Sequence, residues 1–318
     1  MRLSDLKQFL LGTPLEYPAR WILQRIHSTS PPINFKTFNL PYGFTEMDLW
    51  NVFLSFSIGG EAVGHLDPYV KDSFYRFIHT WELVRYEKGK CLELGANPYF
   101  ITWLLKEHTE LDVTIANYFG VEEHTGRQTL SWMDGKSRKE VVFEFDHFNA
   151  EESRFPYGDS CFDLVLYCEI IEHLLMNPVH TLKEIHRVLK PSGLLVVTTP
   201  NVARLGNIIA IAEGKSIYDP YSGFGPYGRH NREFSMTELL HLLNFCGFEH
   251  EKSFTADAHK ENWSTHPLYP KACSITETRQ AYLGQYLFGA VRRIGTPREG
   301  LPATLFRSYE GNIIDPAW

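Results

Sequence analysis

The chain has 318 residues, 43% hydrophobic and 22% charged, with a formal net charge of −7. That is globular composition, with material for one large α/β domain plus additions or for two modest domains. The acidic balance, with no basic run longer than GKSRK (135–139), argues against nucleic acid as a partner, because a phosphate polymer is held by a basic face.

The first 85 residues are broken by Pro14, Pro18, Pro31, Pro32 and Pro41. Within them EMDLWNVFLSFSI (46–58) and VKDSFYRFIHTWELVR (70–85) have helical apolar spacing, which predicts a helical N-terminal cap over 1–85. From Lys88 the texture changes. KCLELG (90–95) reads as a strand, FITWLLKEH (100–108) as a helix and LDVTIANY (111–118) as a second strand. VVFEFDHF (141–148) reads as a third strand and CFDLVLY (161–167) as a fourth. MNPVHTLKEIHRVLK (176–190) is a helix stopped by Pro191 and Gly193, and LLVVTTP (194–200) is a fifth strand. Strands alternating with helices predict right-handed crossovers and a parallel sheet. An insert spans 202–235, with a stretch rich in Gly, Tyr and Pro at 216–234. Ser235 and Glu238 then form an S-x-x-E capping box, with Gly247 as the residue that ends the helix. QAYLGQYLFGAVRR (280–293) is a late strand suited to a sheet edge, and the tail from 296 to 318 is expected to be irregular.

The five cysteines Cys91, Cys161, Cys168, Cys246 and Cys273 are odd in number and include no C-x-x-C pair. They read as thiols of a reducing compartment. No signal-peptide stretch and no apolar window long enough to span a bilayer is seen, so a cytoplasmic protein is expected. The sequence leaves the oligomeric state open.

The stretch CLELGANPYFITWLL (91–105) poses the functional question: a strand, a turn with one glycine, then a helix. Glycine there allows positive φ and close approach of a ligand to the backbone. Asn97 tolerates positive φ and is a preferred N-cap, and Pro98 fits the first helical position after it. The motif alone serves a cofactor turn or a structural corner equally well.

FDLV, EIIEH, EIHRVLKPSG and VVTTPN follow in order within 161–201. This run resembles the fourth-to-fifth-strand region of class I S-adenosylmethionine-dependent methyltransferases, above all their small-molecule and sugar group. The likeness covers about 88–255. It implies a doubly wound, mostly parallel seven-stranded sheet (a Rossmann-like methyltransferase fold) over 86–295, with the cap and tail outside it. It also implies S-adenosylmethionine as cofactor. Glu93, Gly95, Ala96 and Asn97 would then face the methionine end. Asn117 stands where the family carries the acid that holds the ribose hydroxyls, and Tyr118 is placed to stack on adenine. Asn149 and Ala150 stand at the adenine-reading position, with Asp146 competing for it. Two family acids are thus replaced by amides, which accept a hydrogen bond without the charge. Cys168 and Glu169 follow the fourth strand, the end at which open α/β sheets bind ligands.

Methyl transfer to a hydroxyl needs an aligned acceptor and a group that takes its proton. His173 in EIIEH is the first candidate base, with Glu172 beside it on the acceptor side, and His230 in YGRHNREFS is the second. Each has a plain alternative, turn orientation for His173 and an Arg–Glu network pinning the insert for His230. Arg229, Arg232, Tyr218 and Asp219 are candidate acceptor contacts, suited to a polyhydroxylated molecule. His180 and His186 are six apart and read as structural, and no metal is implied by spacing in the sequence. The expected reaction is transfer of a methyl group to a small molecule or glycan, at a hydroxyl. A non-catalytic binding or scaffold protein of the same fold, or a methyltransferase acting on a protein, is the alternative.

Overall fold

The computed structural model describes residues 38–120, 126–309 and 313–315. The first 37 residues of the expected cap lie outside the described residues. Two helices lead into the sheet, α1 (Glu46–Leu54) and α2 (Asp67–Val84), with β1 (Ser57–Ile58) between them. Thr45 and Asp48 form a reciprocal capping box that starts α1. Then come β2 (Lys88–Leu94), α3 (Phe100–His108) and β3 (Glu110–Asn117). β4 (Arg127–Asp134) and β5 (Ser137–Glu144) form a hairpin, followed by the short β6 (Asp146–His147). β7 (Phe162–Cys168), α4 (Pro178–Val188) and β8 (Leu189–Pro200) complete the parallel part. α5 (Leu205–Ala212), α6 (Met236–Phe245), β9 (Phe248–Ala256), α7 (Tyr269–Ile275) and β10 (Tyr286–Arg293) follow. The last elements are β11 (Leu301–Pro302) and β12 (Ile314–Asp315).

The main sheet has seven strands in the order β6-β3-β2-β7-β8-β10-β9. β6, β3, β2, β7 and β8 pair in parallel, and β10 runs antiparallel to both of its neighbours. This is the doubly wound, mostly parallel sheet the sequence predicts. Alternation along the strands divides the core. Cys91, Leu164, Leu166 and Val196 face one way, onto α1, α2 and α3. Leu92, Val165, Tyr167, Leu195 and Val197 face the other, onto α4 and α6. No helix among the described residues is long and apolar enough to cross a membrane.

Four local expectations are corrected. The segment read as one strand over 141–148 is two: its first half belongs to β5, in a separate sheet ordered β1-β4-β5, and only Asp146–His147 joins the main sheet. α4 ends at Val188 rather than at Pro191, because β8 begins at Leu189 and pairs with Phe162 of β7. β10 lies inside the sheet rather than at an edge, and β9 takes the edge. β9 (FEHEKSFTA) has mostly polar, half-exposed residues, so it lacks the apolar signal of a buried strand. The tail is not wholly irregular, since β11 pairs with β12 and Leu301 and Phe306 are buried in the second core cluster. The capping box of Ser235 with Glu238 and the positive φ of Gly247 at the end of α6 are as expected.

α1 and α2 share one aromatic cluster with the sheet domain. Phe53 is fully buried, with ring centroids 4.9 Å from Phe100, 5.7 Å from Phe77 and 6.0 Å from Trp103. Phe53→Ala should therefore lower the unfolding free energy by about 3–5 kcal/mol. Denaturant melts should show one transition at a lower midpoint, and two separated transitions would show that the helices fold independently.

Candidate functional site

The parallel strands β2, β3 and β7 end on the same side of the sheet, where such folds place their ligands. The turn after β2 is built on Gly95. Its φ is 65°, and its N–H donates to the Ala116 carbonyl at 2.8 Å. A Cβ at this position would stand 2.9 Å from Cδ1 of Ile170, which follows β7. Only glycine lets these two turns come this close.

The remainder of the turn differs from the expectation. Tyr99, at φ 71°, is the N-cap of α3, and Asn97 is not. The reason lies in the hairpin. Nδ2 of Asn97 donates to Oε1 of Gln128 on β4 at 2.9 Å, and the Tyr99 hydroxyl donates to the same oxygen at 2.5 Å. Asn117 serves this turn too. Its Oδ1 accepts the Asn97 N–H at 3.0 Å, and its Nδ2 donates to the Tyr99 oxygen at 3.2 Å. Glu93 sits behind the turn, 5% exposed, accepting the Thr102 hydroxyl at 2.6 Å. Burial pushes its carboxyl up to about 8.

A cavity of about 170 Å³ opens across these strand ends. Leu94, Ala116, Phe148, Ala150, Ile170 and Leu174 give it apolar walls, and Tyr118 and Tyr227 give it aromatic ones. Gly95, Asn117, Asn149, Glu169 and His173 complete the lining. Of the ten expected cofactor residues, Gly95, Asn117, Tyr118, Asn149, Ala150 and Glu169 line this cavity, while Glu93, Ala96, Asn97 and Cys168 stand behind it. Asn149 Oδ1 accepts the Glu151 N–H at 2.9 Å, and its Nδ2 donates to the Tyr227 hydroxyl at 2.9 Å. A larger groove of about 1090 Å³ lies along β3 and β5, lined by Lys106, Thr114, Arg127 and Glu144 among others. It follows the middle of β3 rather than the strand ends, where open α/β sheets bind ligands.

At the β7 end, Glu169 has φ 55° and accepts the Thr198 hydroxyl at 2.8 Å. Its other oxygen stands 3.8 Å from Nε of the buried Arg76 of α2. Burial raises the Glu169 pKa against the opposing pull of Arg76. Glu172 is 0% exposed and accepts the Thr199 hydroxyl at 2.9 Å. Burial, then the neighbouring Glu169, push its carboxyl well up. His173 has Nδ1 2.9 Å from the Arg229 carbonyl, so Nδ1 carries the proton and Nε2 keeps the lone pair. Burial, then His230, hold its pKa below the usual histidine range.

His230 meets His173 edge to face, with ring centroids 4.9 Å apart. Its backbone N–H donates to Asp219 at 3.0 Å, and its Nδ1 lies 3.3 Å from Glu233. Arg229 bonds Asn231 and lies 4.8 Å over the Tyr221 ring, on the outer side of the insert. Tyr218 is exposed on the same insert. Arg232 is a correction: it donates to Glu238 at 2.8 Å and lines a separate groove with Phe306 and Tyr309, drawn there by the head of α6. His180 and His186 bond the backbone carbonyls of Ser153 and Gly295 and are structural, as read.

Sequence reasoning missed Tyr227 and Arg76, and it missed that one ligand-competent atom each of Glu172, His173 and His230 lie within 4.8 Å of one another. EIIEH and YGRHNREFS each supplied a candidate base, but nothing local says that the insert brings His230 against His173.

Residues 92–197 match the family model described as a methyltransferase domain. A protein of Mycolicibacterium smegmatis, described as a "probable S-adenosylmethionine-dependent methyltransferase", is 34% identical over 105 residues, 33% of this chain and 35% of its own. A protein of Mycobacterium tuberculosis with the same description is 34% identical over 99 residues, 31% of each chain. The match thus spans about a third of the length of these relatives. A solved S-adenosylmethionine-dependent methyltransferase of Archaeoglobus fulgidus is 16% identical at TM-score 0.46, over 72% of this chain and 99% of that one. Residues 92–197 are thus similar to a methyltransferase domain, and the relatives that share this region are described as S-adenosylmethionine-dependent.

Proposed function

We propose that this protein transfers a methyl group from S-adenosylmethionine to a hydroxyl of a small molecule or glycan. The observation that carries the reading is the cavity at the ends of β2, β3 and β7, which passes from the Gly95 turn to His173.

The lining fits the cofactor chemically. Apolar and aromatic walls suit a purine, the Asn149 and Asn117 amides suit its polar edges, and the Glu169 carboxylate suits a cationic end. The enclosed volume, about 170 Å³, is below the roughly 300 Å³ and more of most ligand pockets. Tyr227 of the insert lines this space and bonds Asn149 across it. An outward swing of that ring would enlarge the space for a whole cofactor.

S-adenosylmethionine supplies a methyl group on a sulfonium, already activated for displacement. The residues of this chain have three tasks. The Gly95 turn, braced by Asn97, Tyr99, Asn117 and Gln128, gives the cofactor a rigid floor. Glu93 supports that floor from behind through Thr102. His173 and His230 stand on the acceptor side, where a hydroxyl must be aligned and its proton handled. The preference for a polyhydroxylated acceptor is supported by the exposed rings of Tyr218, Tyr221 and Phe224 on the insert, which offer faces to a sugar.

Calorimetry should find micromolar binding of S-adenosylmethionine and of S-adenosylhomocysteine, and Gly95→Ala should weaken both at least about tenfold while the domain stays folded. The added methyl meets Ile170 and is held at a φ that disfavours it. Absence of binding by the parent protein up to millimolar ligand would favour a non-catalytic scaffold of this fold, and unchanged affinity in the variant would remove Gly95 from the cofactor site.

Glu93 gives a pH signature. Its folded pKa of about 8 lies above the ordinary carboxyl value of 4.5. The folded state therefore keeps a proton that the unfolded chain has released. The stabilising contribution is complete below about pH 4.5 and is lost as pH rises toward about 8. Glu93→Gln should flatten this decline and raise stability at pH 8 by about 1–3 kcal/mol, with homocysteine-product affinity nearly unchanged. Parallel stability–pH curves for the two proteins would show that Glu93 is charged in the fold.

A further inference from the structure

We propose that Glu172, His173 and His230 bind one divalent transition-metal cation on the acceptor side of the cleft. Resting on the methyltransferase reading above, the ion would take the acceptor hydroxyl.

Three features of the structure carry the site. The first is Glu172. It is 0% exposed, Oε2 is satisfied by the Thr199 hydroxyl, and Oε1 has no hydrogen-bond donor. That orphaned oxygen stands 3.9 Å from Nε2 of His173. A buried carboxyl oxygen with no donor is held ionised, rather than protonated, when a cation meets it.

The second is the orientation of the imidazoles. Nδ1 of His173 is committed to the Arg229 carbonyl, and Nδ1 of His230 faces the Glu233 carboxylate. Each ring is thus held from behind and keeps Nε2 as a lone-pair donor. Supporting a ring through one nitrogen while the other binds is how metal-ligating histidines are oriented.

The third is local charge and rigidity. Glu233 is already paired with Arg204, and Glu169 faces Arg76, which leaves Glu172 without a cationic side chain of its own. The two chain segments that bring the ligands together are stapled. The Glu172 carbonyl accepts the backbone N–H groups of Asn231 at 2.7 Å and Arg232 at 3.1 Å, and Asn231 Nδ2 donates to the His173 carbonyl at 2.8 Å.

Donors at about 2.0–2.2 Å from one ion lie roughly 3–4 Å from each other. The 3.9 Å separation already meets this, and the 4.8 Å outer limit of the cluster needs a shift of under about 1 Å. Two imidazoles and a carboxylate form a borderline N/O set, suited to manganese, iron(II), cobalt or zinc rather than magnesium or calcium. Three protein ligands leave positions open for water and for an acceptor oxygen. An acceptor hydroxyl bound there loses its proton to water more readily. The oxygen then forms the new C–O bond as the carbon–sulfur bond breaks, with its electron pair left on sulfur. The products are a methyl ether, a neutral thioether and a hydrated proton.

The test is a titration of chelator-treated protein with cobalt(II), read by its visible d–d absorption and by calorimetry. One equivalent should bind at micromolar concentration. Glu172→Gln and His230→Asn should each weaken binding at least about tenfold. Neither residue lines the cofactor cavity, so S-adenosylhomocysteine affinity should stay within about twofold, which also reports that each variant is folded. His230 is half-exposed, so its variant remains informative should the buried one fail to fold. No saturable cobalt binding by the parent protein, or unchanged binding in the His230 variant, overturns the site. Cobalt binding without any cofactor binding keeps the metal site and overturns its role in methyl transfer.

Discussion

Arg76 ties the helical layer to the chemistry of the cleft. Its guanidinium is 5% exposed, donates to the Tyr69 hydroxyl and Ser73, and lies within 5.6 Å of the ring centroids of Tyr69, Phe77 and Tyr286. Nε has no hydrogen-bond partner and faces Glu169 instead. Burial works against the charge, yet Glu169 and the two tyrosines raise the Arg76 pKa above its ordinary value. An arginine so enclosed is stable only beside a countercharge. Glu169 is therefore held in place from two sides, by Arg76 and by the Thr198 hydroxyl, at a backbone φ of 55°. The turn after β7 inherits this constraint. Ile170 then fixes the approach to Gly95, and the short helical turn Ile171–His173 fixes Glu172 and His173.

The amides at the family's acidic positions acquire a physical explanation in the same frame. Asn117 is 4% exposed and bonds Asn97 and Tyr99 at once, one as acceptor and one as donor. A carboxylate can only accept, so an acid there would lose the donor half of this brace. The hairpin β4–β5 supplies the third member, Gln128. Asn117 is thus spent on keeping the turn rigid. Asn149 is likewise engaged at both ends of its amide, with Glu151 and Tyr227.

Strands β2, β7 and β8 were legible because each is an apolar run closed by a turn signal, and α4 and α6 because their caps are local. The β4–β5 hairpin was not. Val141 and Phe143 alternate as in a strand of the main sheet, and nothing local says which sheet a strand joins. β9 escaped because its polar residues are tolerated at an open edge. In the site, Gly95, Glu169 and His173 follow from strand ends, a rule of position. Arg76 lies in a helix that reads as ordinary amphipathic cover, and His230 is 57 residues from His173, so their meeting is a tertiary fact.

The division of labour that results is spatial. The Gly95 side of the cavity is borne largely by strand termini, whose register is fixed by the parallel ladder, with Tyr227 added from the insert. Beside Glu172 and His173 stands His230, which comes from the insert. Asn231 is the fastening between the halves, with its backbone N–H on the Glu172 carbonyl and its side chain on the carbonyls of His173 and Pro226. Upstream of that fastening, Tyr218, Tyr221 and Phe224 are exposed and make no core contacts. Loops anchored at one end on a rigid scaffold are where recognition is free to vary. Residues 220–225 carry the exposed rings of Tyr221 and Phe224, while Asp219 and Tyr227 on either side stay bonded to His230 and Asn149, so the freedom to vary is confined to the tip of the insert.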